Sequence, residues 1–228
     1  MKRILRNSVL SLVLCLPLVT QAHAPSAVTA AEALKTLMAG NQRFVSGHPA
    51  FLSPEEVLQR RAELAEGQKP FAIVLCCSDS RVGPEIVFDQ GLGNLFVVRT
   101  AGEVLDPAVV GSIEYAVAHL GSPLLLVLGH ERCGAVAAAV AHAQESGNIA
   151  DIVKAIQPAV EQTRGQPGDA VSNAVRANAL NIAAQLQTTS AIISQAVRTG
   201  HLTVQAAVLS LKTGQVEFLG REQKGSDR

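Results

Sequence analysis

Two short stretches of this sequence carry residues that could bind a metal. LCCSDSR at 75–81 places two thiols, a carboxylate and a guanidinium after an apolar run, and His130 and Cys133 follow a second apolar run at 123–129. Thiolates and imidazoles are common zinc ligands, and three protein ligands with a fourth position left to water are typical of catalytic zinc sites. We therefore interpret Cys77, His130 and Cys133 as candidate ligands of one zinc ion.

The elements around these residues must bring them together. The apolar runs predict buried strands, and the segments between them have the apolar period of helices. Strands are predicted at about 71–76, 94–99 and 123–129, and helices at 84–90, 106–120 and 133–144. This alternation predicts an α/β fold with a mostly parallel central sheet flanked by helices. Ligands of such sheets lie at the carboxyl ends of the strands, where both candidate groups fall.

The two ends of the chain predict further elements. An N-terminal helical arm is predicted at 28–46, and Ser53, Pro54 and Glu56 have the spacing of a capping box that starts a second helix. Residues 150–199 are predicted to be mostly helical with a break near 164–169. A closing C-terminal hairpin is predicted at 202–219, with its turn at 212–214.

Each candidate ligand also has an ordinary structural explanation. A buried free cysteine is usually a small apolar residue, which is how we interpret Cys76. His130 and Cys133 are spaced i and i+3, so on a helical turn they would face the same way. The other histidines that follow the N-terminal segment have no neighbouring cysteine and are predicted to be surface or packing residues: His48, His119, His142 and His201. The strand-end positions of Cys77, His130 and Cys133 favour a metal site over three unrelated packing residues.

Residues 1–24 have the pattern of a secretory signal peptide. A basic start is followed by the short apolar run Val9–Leu18 and by small residues at which cleavage after Ala22 or Ala24 is expected. The apolar run is shorter than the roughly 18 residues that a spanning helix needs. We therefore predict export to the periplasm and one domain at 25–228.

The charge of the remaining chain gives no support for two kinds of partner. Without its three basic N-terminal residues, 16 Lys and Arg would stand against 19 Asp and Glu, a net charge of −3. This balance does not favour binding to nucleic acid or to an anionic membrane. Three cysteines would remain, and an odd, small number does not indicate a disulfide-stabilised scaffold.

Several motifs resemble those of the β-class carbonic anhydrases, and they occur in the same order along the chain. The paired CxDSR and HxxC patterns are the most specific, and the similarity extends over nearly all of residues 25–228. The matching stretches are GNQRF at 40–44, CSDSR at 77–81, FVVRTAG at 96–102, SIEYAV at 112–117 and GHERCGA at 129–135.

The resemblance implies a role for each matching residue. Cys77, His130 and Cys133 would hold one zinc ion per subunit, with Asp79 and Arg81 as a catalytic dyad beside it. Zinc would supply a hydroxide nucleophile near neutral pH, as it does in carbonic anhydrases that hold the metal by three histidines. The implied activity is the reversible hydration of carbon dioxide to bicarbonate and a proton.

The resemblance also implies a substrate pocket and an assembly. Gln68, Phe96 and Tyr115 match residues around the family's pocket, some of which reach it across a dimer interface. A homodimer or tetramer is therefore expected. Glu103 departs from the family pattern, because many members have asparagine after the AG pair.

Other functions are compatible with parts of the pattern. The same scaffold could hydrolyse carbon disulfide or carbonyl sulfide, since the shape of the access tunnel selects among these small molecules. A zinc-binding protein without catalysis is another alternative, and it would tolerate the loss of Asp79 and Arg81. A metal-free cysteine enzyme would leave His130 and Cys133 without a role.

Overall fold

The computed structural model describes residues 28–50 and 53–220, so the predicted signal peptide lies outside the described residues. The described strands are β1 (Ala72–Cys76), β2 (Leu95–Arg99), β3 (Leu124–His130), β4 (Thr203–Leu209) and β5 (Val216–Phe218). The helices are α1 (Ala30–Ser46), α2 (Pro54–Glu63), α3 (Pro84–Val87), α4 (Pro107–Ala118), α5 (Gly134–Val140), α6 (Asn148–Thr163), α7 (Ala170–Thr189) and α8 (Ala191–Arg198). Short 3₁₀ turns lie at Leu64–Glu66 and Ala101–Glu103.

The five strands form one sheet in the order β2-β1-β3-β4-β5. The first three pairings are parallel, and β5 closes the sheet antiparallel to β4. β1 pairs in parallel with β3 up to Cys76, which lies opposite Leu128. The carboxyl ends of the two strands therefore lie at the same end of the sheet. The predicted α/β class, its parallel sheet and its closing hairpin are confirmed.

Side chains of β1 alternate between two cores, one on each face of the sheet. Ile73, Leu75 and Cys77 belong to a core that includes buried residues of α4 to α8. Val74 and Cys76 belong to a second core, which includes residues of α1 and α3. Burial of each large apolar side chain contributes about 1.5–3 kcal/mol, so both faces of β1 are fixed by packing. The register of the strand decides which cysteine faces which core.

The N-terminal arm is fixed by caps and by close packing. Ser53 and Glu56 form the predicted capping box of α2, and Gly47 caps the C-terminal end of α1 with a left-handed φ of 71°. A methyl group placed on Gly40 would lie 1.7 Å from the carbonyl oxygen of Phe88, so only glycine allows this approach of α1. Asn41, which follows it, is buried and bonds the backbone of β5 at Val216 N–H.

Asp89 joins the arm to the turn after α3. Its carboxylate accepts from the Ala50 N–H and from Arg43 Nε, and its side chain is only 10% exposed. Burial acts to raise the pKa of Asp89, but these two donors outweigh it and hold the pKa below its ordinary value. The ionised form of Asp89 therefore stabilises the fold.

Some predicted helices are shorter in the structure. α3 ends at Val87 rather than near residue 90, and Asp89 then adopts a left-handed φ of 47°. α5 ends at Val140, and His142 has a φ of 49°. The predicted helical region 150–199 has a second break at Ser190, which caps α8 by accepting the Ile193 N–H. Within residues 28–50 and 53–220, no helix combines the length and apolarity needed to cross a bilayer.

Candidate metal centre

Cys77 is the first residue after β1, and it is 5% exposed. Its Sγ lies on the face of the sheet that holds the α4–α8 core, while the Gly102 N–H donates to it at 3.4 Å. Arg99 fixes the backbone here, because its Nε donates to the Cys77 carbonyl and its Nη2 to the Asp79 carbonyl. These contacts of the protein itself hold the Cys77 backbone and sulfur in place.

His130 is the last residue of β3, and Cys133 is the N-cap residue of α5. The prediction that a helical turn aligns them was wrong, because residues 130–133 form a strand-to-helix turn. Arg132 adopts a left-handed φ of 53° in this turn, which brings the chain back toward the end of β1. The two side chains face the same way for this reason.

The structure brings the three candidate ligands together. The ligand atoms of Cys77, His130 and Cys133 all lie within 4.8 Å of one another, and the two sulfurs are 3.9 Å apart. All three side chains are buried, with His130 fully so. Among the described residues, this is the one group of histidine, cysteine and acidic side chains close enough to hold a metal ion.

The hydrogen bonding of His130 leaves one of its ring nitrogens free to bind a metal. Its Nδ1 lies 2.9 Å from the Glu131 carbonyl oxygen, which requires the proton to be on Nδ1. Nε2 is then a bare acceptor, and this buried atom has no hydrogen-bond partner among the described residues. A buried nitrogen lone pair beside two sulfurs is costly unless a cation binds it. The site therefore fits zinc, with three protein donors and room for a fourth ligand.

The pKa values of the two ligand cysteines are shifted in opposite directions. A hydrogen bond with the Cys133 thiol lowers the pKa of Cys77, and the Gly102 N–H acts in the same direction. The pKa of Cys133 is raised, mainly because it donates that hydrogen bond and also because it is buried. A metal that binds both sulfurs displaces the thiol protons.

Cys76 faces away from this group. It is fully buried in the core of α1 and α3, and burial raises the pKa of its thiol to about 12. Its prediction as a small apolar residue agrees with these surroundings.

Asp79 lies beside the ligand atoms, with Oδ2 at 3.8 Å from His130 Nε2. Arg81 holds both carboxylate oxygens, through Nε to Oδ1 at 2.9 Å and Nη2 to Oδ2 at 2.6 Å. The Arg81 N–H also donates to Oδ1 at 2.9 Å. These hydrogen bonds, above all those of the guanidinium, hold the pKa of Asp79 well below its usual range. Asp79 is therefore a fixed carboxylate that faces the site while bound to arginine.

Four residues around the site were not singled out from the sequence as its supports. Arg99 lies in FVVRTAG and Glu131 in GHERCGA, two of the stretches that match the family, so the sequence gave some signal for both. Glu131 carries the carbonyl that orients His130, and its carboxylate accepts from Ser210 Oγ and the Leu211 N–H. Glu103 and Asn178 are both 2% exposed. Glu103 follows Gly102, whose N–H donates to Cys77 Sγ, and Asn178 donates to the Gly102 carbonyl. Burial raises the pKa of Glu103 well above its ordinary value. Nothing local in the sequence indicated Asn178.

The predicted pocket residues lie at the β2 side of the molecule. Phe96 is on β2, and its ring centroid is 6.4 Å from that of Tyr115 on α4. Tyr115 is 49% exposed, and Gln68 is exposed in the loop before β1. Phe96 and Tyr115 are thus together, and their role and that of Gln68 stay predictions.

A parallel α/β sheet that carries a buried Cys–His–Cys group at its strand ends is the framework of a mononuclear zinc enzyme. Comparison with known proteins gives the family. The family model described as carbonic anhydrase matches residues 72–216. The chain belongs to the β-class carbonic anhydrase family, whose members are zinc lyases.

Two mycobacterial proteins are similar in sequence over most of the chain. A carbonic anhydrase of Mycolicibacterium smegmatis is 44% identical over 190 residues, which are 82% of this chain and 91% of that protein. Carbonic anhydrase 2 of Mycobacterium tuberculosis is 43% identical over 187 residues, covering 80% and 89%.

Solved structures share the fold. The β-carbonic anhydrase of Coccomyxa, solved with acetazolamide, is 26% identical with a TM-score of 0.64, over 75% of this chain and 86% of its own. A tetrameric β-carbonic anhydrase of Sordaria macrospora has a TM-score of 0.64 at 23% identity, over 84% and 95%.

Proposed function

We propose that this protein is a zinc-dependent carbonic anhydrase, which interconverts carbon dioxide and bicarbonate with one zinc ion per subunit. The observation that carries the proposal is the group of three buried donors, in which His130 Nε2 has no partner in the described structure. Cys77, His130 and Cys133 would hold the metal. When bound, zinc lowers the pKa of a water molecule and so supplies the nucleophile.

The protein's own residues position the reaction. Asp79 Oδ2 lies near the ligand atoms and can accept a hydrogen bond from the nucleophile, which turns a lone pair of that nucleophile toward carbon dioxide. Arg81 binds both oxygens of Asp79 in a bidentate pair and so holds the carboxylate away from the metal. The pair supports an open site with water as the fourth ligand, and this state of the zinc-loaded protein stays a prediction.

Zinc content and carbon dioxide hydration, measured on one purified sample, test the proposal. We expect close to one zinc per chain and hydration activity in stopped flow. Asp79→Asn should keep zinc and lose most of the activity, whereas His142→Ala, at an exposed histidine outside the site, should change neither. A protein that holds no zinc, or one that holds zinc and does not hydrate carbon dioxide, contradicts the proposal.

The pocket is proposed to be completed by a second copy of the chain. β2 is an edge strand of the described sheet, and Tyr115 beside it is half exposed although it is aromatic. Gln68, Phe96 and Tyr115 would line the pocket at this interface, and a structural neighbour is described as tetrameric. Light scattering should show a dimer or tetramer. Tyr115→Ala should weaken the association of the subunits and lower the hydration activity. A fully active monomer would exclude this assembly.

Export is proposed from the basic and apolar pattern of residues 1–24. N-terminal sequencing of the full chain expressed in a bacterium should find a periplasmic form that begins at His23 or Pro25. An uncleaved cytoplasmic protein would contradict this.

The alternative functions have less support. Nothing in the described residues or the named relatives favours hydrolysis of carbon disulfide or carbonyl sulfide. A zinc-binding protein without catalysis would not need the bidentate pair of Arg81 and Asp79 beside the metal position.

A further inference from the structure

The turn at 101–103, behind Cys77, has an unfavourable conformation. Gly102 has a φ of 64°, and Glu103, which is not glycine, has a φ of 55°. Glu103 is also 2% exposed, and its Oε1 has no hydrogen-bond partner among the described residues. A left-handed backbone and a buried carboxyl are both costly, and such costs persist where the surroundings hold the segment for a purpose.

The turn donates a hydrogen bond to one of the candidate ligands. The Gly102 N–H donates to Cys77 Sγ at 3.4 Å. A hydrogen bond of this kind directs a thiolate and disperses its charge, as outer hydrogen bonds do around metal ligands. This N–H belongs to the Ala101–Gly102 peptide unit, and the dihedral angles of Gly102 set its direction relative to the next unit, Gly102–Glu103.

Asn178 of α7 binds the following peptide unit of the turn, Gly102–Glu103. Its Nδ2 donates to the Gly102 carbonyl oxygen at 2.8 Å, with a longer contact to Glu103 Oε2 at 3.4 Å. Asn178 is 2% exposed and lies among apolar residues of α7, where an asparagine contributes little to packing. Its buried amide is satisfied by the turn, so the turn and the asparagine fit each other.

Gly102 has little freedom to move. A methyl group placed on it would lie 2.7 Å from Ile156 Cδ1 and 3.3 Å from Ala135 Cβ. The turn is therefore packed on one side by these apolar groups and bonded by Asn178.

We propose that Asn178 is a positioning residue for the metal centre, which holds the 101–103 turn so that the Gly102 N–H meets the Cys77 thiolate. The inference rests on the proposed zinc site. Removing Asn178 leaves the Gly102 carbonyl without its donor and releases the turn. Loss of outer partners of metal ligands typically weakens metal affinity about 10- to 100-fold, and we expect a loss of that size.

The test compares Asn178→Ala with Asn181→Ala on the same helix. Asn181 is a matched control, because its Nδ2 bonds Gln162 Oε1 at an exposed position. Zinc affinity is measured by competition with a chromophoric chelator, and the cobalt-substituted proteins are compared by their thiolate-to-cobalt absorption. Asn178→Ala should weaken zinc binding about 10- to 100-fold and change the cobalt spectrum, while Asn181→Ala stays within about threefold of wild type.

The outcomes separate positioning from packing. If Asn178→Ala lowers thermal stability but keeps the zinc affinity and the cobalt spectrum of wild type, the residue is only structural and the inference is overturned. Asn178→Ser gives the same comparison if the alanine variant does not fold. Wild-type protein that binds neither zinc nor cobalt would contradict the proposed function itself, which is a distinguishable result.

Glu103→Gln separates the geometry of the turn from the chemistry of its carboxyl group. The variant keeps the volume and an acceptor for Asn178 Nδ2, so the turn should persist and zinc affinity should stay within about threefold of wild type. A loss as large as that of Asn178→Ala would show that the carboxyl group of Glu103 itself, and not the geometry of the turn, sets the zinc affinity. That result would overturn the role of the turn.

Discussion

Cys76 and Cys77 are adjacent in the chain but lie in different cores, which makes the change of each to serine a matched pair. Cys77 Sγ lies within 4.8 Å of the other two donor atoms, whereas Cys76 is fully buried on the opposite face of the sheet. We expect Cys77→Ser to lose zinc and activity, and Cys76→Ser to keep both.

The expected magnitudes follow from these surroundings. Zinc bound by four ligands in small proteins contributes about 10–16 kcal/mol, or about 2.5–4 kcal/mol per ligand. Loss of Cys77 should therefore weaken zinc binding roughly 100- to 1,000-fold. Cys76→Ser instead places a hydroxyl in an apolar core, at a cost of about 1–3 kcal/mol in stability. For a chain of this size the midpoint of thermal unfolding should fall by about 2–4 °C per kcal/mol.

The assay has two readouts on the same samples. Zinc affinity is measured by competition with a chromophoric chelator under reducing conditions, and stability by thermal unfolding of the zinc-free protein. Cys77→Ser should shift the first measurement and Cys76→Ser the second. If Cys76→Ser weakens zinc binding as much as Cys77→Ser, or if Cys77→Ser binds zinc like wild type, the assignment of ligands by strand face is refuted.

Three further outcomes are expected. Arg81→Ala should free Asp79 to ligate the metal, lower hydration activity near neutral pH about 10- to 100-fold and move the pH–rate profile to higher pH, because hydroxide displaces a carboxylate better than water does. An unchanged profile would show that the arginine does not hold the carboxylate. Chelation in air should let Cys77 and Cys133, whose sulfurs are 3.9 Å apart, lose two electrons and two protons to dissolved oxygen and form a disulfide. Reductant during chelation should then preserve recovery with added zinc, and equal recovery without it would contradict this. Asp89 has a lowered pKa in the folded state, so its stabilisation is complete above the unfolded pKa of about 4 and is lost as pH falls through the folded pKa. Asp89→Asn should cost about 1–3 kcal/mol at pH 7 and progressively less in acid, measured by urea unfolding at several pH values; a cost independent of pH would exclude the ionic explanation.

The local sequence was sufficient to predict the elements and the ligand types. Apolar runs bounded by polar residues gave the strands, and the alternation with helices gave a parallel sheet, whose strand ends must share an edge. Cys77 and His130 could be placed together on that ground alone. The period of two along a strand then separated Cys76 from Cys77, since consecutive side chains point to opposite faces.

Helix ends were predicted less well, because contacts distant in sequence decided them. The helix at Pro84 ends where Asp89 turns to bind the N-terminal arm, and the carboxylate finds its partners about forty residues earlier in the chain. His130 and Cys133 face the same way because Arg132 adopts a left-handed backbone, which a three-residue spacing does not reveal.

The supports of the site were decided only by the tertiary structure. The carbonyl that orients His130 belongs to Glu131, whose carboxylate is bonded at the end of β4, and the turn behind Cys77 is held by Asn178 from a helix 75 residues beyond Glu103. A single asparagine in a helix has the same local appearance whether its amide meets water or a buried carbonyl. The ligands could be predicted because their chemistry and strand-end positions are visible in the sequence, whereas their supports act through hydrogen bonds that exist only once the sheet and helices have packed.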